Sequence, residues 1–178
     1  GQSVLLHGGG GGVTTAAMQL VGALAPRSRV IVTASPAKVA RVADLGADPA
    51  IDYRNEDFVE VVRRVTGGRG VDVILDHIGA AYLERNMKAL AVGGRIALIG
   101  VMGGRKAEID LGRLLVKRQE IIGSVLRPRP ADEKAAIVAR FREAVMPLFA
   151  ERRIVPLIDR VYPLEEAADA HRRMERGE

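Results

Sequence analysis

Five consecutive glycines, Gly8 to Gly12, constrain this chain more than any other feature. Val4, Leu5 and Leu6 before them form an apolar run of strand length, and Val13, Ala16, Ala17, Leu20, Val21 and Leu24 after them share one face of a helix. Strand, glycine turn and helix together open a dinucleotide-binding unit. Glycine adopts positive φ at no steric cost and lets the backbone approach a phosphate closely. The free N–H groups and dipole of the following helix favour the anion. In the G-x-G-x-x-G spacing, Gly9 and Gly11 take the first two places and Thr14 the third. A glycine there normally permits close packing of helix on strand. A β-branched Thr14 is expected to hold the helix off or crowd a pyrophosphate, so Thr14→Gly is expected to tighten cofactor binding. The alternative is a flexible glycine loop with no ligand, since five glycines carry an ordering cost; the flanking strand and helix favour phosphate binding.

The remaining chain alternates between strand and helix patterns. Residues 29 to 33 (RVIVT) predict a second strand, and Ser35-Pro36 a helix to about Leu45, ended by Gly46. Residues 50 to 52 predict a third strand. Asn55, Glu56 and Asp57 begin a helix with Phe58, Val61, Val62 and Val65 on one face, broken by Gly67, Gly68 and Gly70. A fourth strand is predicted at 71 to 76, a helix at 80 to 90, a Gly93-Gly94 turn, and a fifth strand at 95 to 100. A short helix at 111 to 117 and a sixth strand at 120 to 125 follow. A long helix to about Arg152 should turn Ile137, Phe141, Val145 and Leu148 inward and kink at Pro147. Residues 157 to 162 are strand-like, and a last helix spans 163 to 174. This alternation implies an α/β doubly wound parallel sheet, the Rossmann fold, in three α/β/α layers with strand order 3-2-1-4-5-6 and the ligand at the switch between strands one and four.

At 178 residues the chain fits one domain, residues 1 to 178, with a C-terminal helical extension. It has no cysteine, so a thiolate zinc site and a disulfide framework are excluded, and a cytoplasmic setting is expected. There is no signal peptide and no apolar run long enough for a membrane span. The chain begins at Gly1 with its first strand almost at once, which suggests a piece of a longer protein. Net charge is +5, but the arginines are mixed with Asp and Glu along helices, as on a solvated face. Three Phe and three Tyr are too few for a base-stacking platform, so a nucleic-acid partner is not expected.

An acidic residue at the end of the second strand would select NAD by binding its adenosine ribose. Between Ser28 and Ala43 there is no Asp or Glu; the chain offers Ser35, Lys38 and Arg41. Lys38 in the first turn of its helix opposes the dipole unless a bound 2′-phosphate supplies negative charge. This favours NADPH over NADH.

VLLHGG followed by GVTTAAMQL, then IDYRNEDF, TGGRGVDVILDHIG, YLERNMKAL, GGRIALIG and GGRKAEIDLGRLLVKR, resembles the zinc-independent quinone oxidoreductases of the medium-chain dehydrogenase/reductase superfamily, with the p53-inducible quinone oxidoreductase-like branch most alike. The resemblance covers nearly the whole chain. It implies transfer of hydride from NADPH to a quinone or related enone. The family usually has serine where Gly11 stands and glycine where Thr14 stands. The resemblance places Gly11, Gly12, Val13 and Thr14 at the pyrophosphate, Ser35 and Lys38 at the 2′-phosphate, and Tyr53 by the adenosine phosphate. Asp76 and Gly79 close the fourth strand near the cofactor, and Ile99, Gly100, Val101 and Met102 lie beside the nicotinamide.

No catalytic side chain or metal site stands out. Asp76 and His77 are adjacent, but successive strand residues point to opposite faces. His7 is expected to pack near the turn and His171 on an exposed helix. The family's N-terminal catalytic domain is missing from this sequence, so the fragment alone is expected to be nearly inactive. The alternatives are the cofactor domain of an enoyl-thioester reductase and a non-enzymatic basic nucleotide- or RNA-binding module. A homodimer through the apolar edge at 120 to 126 is expected, unless residues 157 to 162 cover that edge.

Overall fold

The structure, a computed structural model, describes residues 1 to 177. Six strands form one sheet: β1 (Ser3–Gly9), β2 (Arg29–Ala34), β3 (Ala50–Asp52), β4 (Val71–Asp76), β5 (Leu90–Leu98) and β6 (Glu120–Gly123). Their order is β3-β2-β1-β4-β5-β6, and every pairing is parallel. This is the doubly wound order that the strand–helix alternation predicts. The helices are α1 (Gly12–Leu24), α2 (Pro36–Asp44), α3 (Phe58–Val65), α4 (Ala80–Ala89), α5 (Leu111–Lys117), α6 (Ala131–Ala150) and α7 (Ala167–Glu175), the last preceded by a short 3₁₀ turn at Leu164–Glu166.

Parallel strands covered on both faces need apolar residues at successive positions. Leu5 and Leu6 in β1 are both buried and belong to opposite faces. On one face Leu5, Ile31, Ile74 and Ile96 meet Phe58, Val61 and Val62 of α3 and Met87 of α4. On the other, Leu6, Val30 and Val32 meet Met18 of α1 and Val42 of α2. The weight of burial decides the conformation of α3. Valine is a mediocre helix former by a few tenths of a kcal/mol. Burying Phe58, Val59, Val61 and Val62 contributes roughly 1.5–3 kcal/mol for each side chain. Asp57 fixes where that helix starts, accepting from the Val59 N–H at 3.0 Å.

Four differences from the sequence expectations have physical causes. The first strand runs on to Gly9, because His7 is buried and satisfied within the fold. The fifth begins at Leu90, with Gly93–Gly94 absorbed as an irregularity where Gly93 takes φ of 71°. In α6 only Val145 and Leu148 are buried; Ile137 and Phe141 are exposed, because the helix meets the body at its last turns, against Leu20 and Ala23 of α1. Pro147 sits near its end and the helix continues to Ala150. Residues 157 to 162 form no strand. Just upstream, the Gln19 side chain pairs with the Val155 backbone in both directions, at 3.0 and 2.8 Å, and ties this segment to α1. It therefore leaves the β6 edge open, and the covering of that edge within one chain is corrected. Among the described residues no helix is long and apolar enough to cross a membrane.

Candidate functional site

The carboxyl ends of the strands carry every residue expected at the site. Gly11 is the N-cap of α1 in an extended conformation, with no side-chain cap and no acid in the first turn. Its own N–H is spent on the Gly8 carbonyl at 3.2 Å. The next donors, on the exposed Gly12 and Val13, belong to the first turn of α1 and have no intrahelical acceptor. The glycine run divides by role. A Cβ on Gly9 would stand 2.9 Å from Val32, on Gly8 2.6 Å from the His77 imidazole, and on Gly10 2.6 Å from Cδ of Lys38. Gly12 faces open space.

Thr14 needs a correction. It is 1% exposed, and its hydroxyl donates to the carbonyl of His7 at 2.6 Å. The side chain therefore draws the helix onto the strand and does not crowd the turn. Its hydroxyl is spent within the fold and is not offered to a pyrophosphate.

Lys38 lies in the first turn of α2, its stem laid along Gly10. Ser35 holds the N-cap position, yet its hydroxyl makes no capping bond. A cavity of about 110 Å³ is lined by Gly10, Gly12, Lys38 and Arg41, closed by Leu157 and Asp159. Tyr53, half-exposed, follows β3 and donates its N–H to the Ala34 carbonyl at the tip of β2, at 3.3 Å.

The other half of the site is the meeting of two loops. The Ile99 N–H donates to the Asp76 carbonyl at 2.7 Å, Met102 to His77 at 3.1 Å and Gly103 to Ile78 at 2.6 Å. Gly79 takes φ of 82°, and a Cβ there would stand 2.8 Å from the Gly104 carbonyl. A Cβ on Gly100 would come within 3.0 Å of the His77 carbonyl. These contacts present Ile99, Val101 and Met102 outward, Met102 being 82% exposed. Asp76 is corrected from contact to support. It is fully buried, and its carboxylate accepts from the N–H groups of Ile78 and Gly79 at 2.7 and 3.2 Å and from Asn86 Nδ2 at 3.1 Å.

Nothing in the sequence singles out Asn86, yet it completes a buried network. Its Nδ2 is engaged by Asp76, so its Oδ1 accepts from Nε2 of His7 at 2.8 Å. The other imidazole nitrogen, Nδ1, then accepts from the Thr33 hydroxyl at 3.0 Å. Burial pushes the His7 pKa down to about 4, against the opposing pull of Asn86 and of the Asp76 charge. His7 is thus a neutral bridge between β1, β2 and α4 beneath the site. His171 is exposed on α7.

Fold and site together define a dinucleotide-binding domain. A family description, zinc-binding dehydrogenase, matches residues 45–178. Human quinone oxidoreductase is 29% identical over 99% of this chain and 52% of its own length. A mycobacterial protein solved in complex with NADPH is 31% identical, with a TM-score of 0.79, over 98% of this chain and 53% of that one. The CurK enoyl reductase is 25% identical, with a TM-score of 0.81, over 99% of this chain and 52% of that one. The chain belongs to the zinc-binding dehydrogenase family, as a quinone oxidoreductase-like member of the medium-chain dehydrogenase/reductase superfamily. It spans about half the length of the relatives it matches. The zinc of the family's name does not fit these residues. The chain has no cysteine, and among the described residues no three of His, Asp and Glu gather as a metal site.

Proposed function

We propose that this chain is the NADPH-binding part of an oxidoreductase that reduces a quinone or a related enone. The observation that carries it is the uncapped start of α1 at Gly11, set beside Lys38 where the stem of that lysine crosses Gly10. NADPH, when bound, supplies the hydride. The N–H groups of Gly12, Val13 and Thr14 bind the pyrophosphate. Lys38 and the Ser35 hydroxyl hold the 2′-phosphate, with Tyr53 beside the adenosine. Ile99, Gly100, Val101 and Met102 border the nicotinamide, in a place fixed by Gly79 and the buried Asp76. The substrate side belongs to an N-terminal catalytic domain beyond this chain, and the isolated domain is expected to turn over poorly. The likeness to CurK supports a second reading, reduction of an enoyl thioester.

Titration of the chain with NADPH and NADH, followed by nucleotide fluorescence, tests the assignment. NADPH is expected to bind more tightly, and Lys38→Glu to weaken NADPH selectively. Equal affinity of the unmodified chain for both would overturn it. Turnover of the longer protein with a quinone against an enoyl thioester separates the two substrate classes.

A further inference from the structure

We infer that Asp159 is a specificity-determining residue, a built-in anion that the 2′-phosphate of NADPH must displace. The inference rests on the NADPH reading above. No acid stands between Ser28 and Ala43, where the second strand ends, yet the fold brings one there from more than a hundred residues downstream. Asp159 lines the same cavity as Gly10, Lys38 and Arg41. Its Oδ1 lies 4.0 Å from Nη1 of Arg41, and its Oδ2 accepts from Nε of Arg173 at 2.9 Å. Asp159 and a bound 2′-phosphate would therefore compete for Lys38 and Arg41, the two cations of that cavity, both of which act on the Asp159 carboxyl. The segment is held in place from its upstream end, where Val155 pairs with Gln19.

The competition is uneven. The Asp159 side chain is 49% exposed, and ion pairs that open to water are weak. A phosphate brings more charge and more acceptor oxygens to the same cations. It therefore displaces the carboxylate, at some loss of apparent affinity. The ribose of NADH carries a neutral 2′-hydroxyl and leaves the ion pairs of Asp159 intact. Hydrogen bonding and charge from Arg173, with smaller contributions from Arg41 and Lys38, hold the carboxyl of Asp159 below the usual range and keep it ionised.

The test is the ratio of NADPH to NADH affinity of the 178-residue chain and its variants, with far-UV circular dichroism to confirm folding. Asp159→Asn is expected to raise the ratio about fivefold, the most that one exposed ion pair is worth. Asp159→Glu keeps the charge and is expected to leave the ratio as in the unmodified chain. Gln19→Ala frees the segment at Val155 without a change of charge and should move the ratio in the same direction as Asp159→Asn. An unchanged ratio in Asp159→Asn, or weaker NADPH binding, overturns the inference while the NADPH reading stands. An unmodified chain with no preference for NADPH overturns both.

Discussion

Thr14 donates its hydroxyl to the main-chain carbonyl of His7 across 2.6 Å, and so fastens the first turn of α1 to the strand that precedes it. The two residues frame the glycine turn from below. A glycine at position 14 would remove that bond, worth about 1 kcal/mol, and add a helix penalty of a few tenths of a kcal/mol relative to threonine. We expect Thr14→Gly to lower the thermal midpoint by roughly 3–6 °C for a domain of this size and to leave NADPH affinity no better. Thr14→Ser should restore most of the loss. Tighter NADPH binding by the glycine variant would reinstate the steric account of Thr14.

His7 gives the fold a dependence on acid. Its pKa is about 4 when folded and 6.5 when unfolded, because burial disfavours the charged ring. The unfolded chain therefore binds more protons between these values, and stability rises with pH across that window. The contribution is complete above pH 6.5 and is lost progressively as pH falls towards 4. Its size is on the order of 3 kcal/mol at most, since each tenfold change in proton affinity is worth about 1.4 kcal/mol. Urea melts at pH 7.5 and pH 5 check this. A His7→Gln variant should show a flatter profile, and an equally steep one would assign the acid sensitivity elsewhere.

Gly79 sits where the two loops at the outer ends of β4 and β5 meet. Its φ of 82°, and the 2.8 Å that would separate an added Cβ from the Gly104 carbonyl, leave no room for a side chain. Gly79→Ala is expected to destabilise the domain by about 1–3 kcal/mol and to displace residues 100 to 104. Amide exchange of that loop should quicken while α1 stays protected. Gly12→Ala is the control, since its Cβ would meet open space.

The sheet was legible because its signals are local. Apolar runs such as VDVILD at 71 to 76 and the glycines between elements fix strand and helix in turn, and the parallel order follows from the alternation. What was not legible depends on distance in sequence. Asn86 looks like any polar helix residue until the fold sets it between His7 and Asp76. Asp159 lies in a segment with a strand-like pattern, and tertiary contacts such as the pairing of Val155 with Gln19 carry it towards Lys38. Ile137 and Phe141 keep helical spacing, but periodicity cannot say how much of a helix finds a surface to cover, and α6 is held only at its end.

The open edge of the sheet yields the last prediction. β6 pairs with β5 on one side only, and its Ile122 is 43% exposed. Val125 and Leu126 beyond it, and Leu115 and Val116 on α5, are also exposed. An edge strand with unpaired N–H and C=O groups and apolar neighbours invites a second strand. A two-fold partner would add its own β6 antiparallel and bury the same residues from both sides. The segment at 157 to 162 offers no intramolecular substitute, since it lies against the glycine turn. We expect the chain to sediment as a homodimer at micromolar concentration and Ile122→Lys to sediment as a monomer, with α5 and β5 unchanged in amide exchange. If the unmodified chain is monomeric at that concentration, the edge is not a dimer interface of this domain.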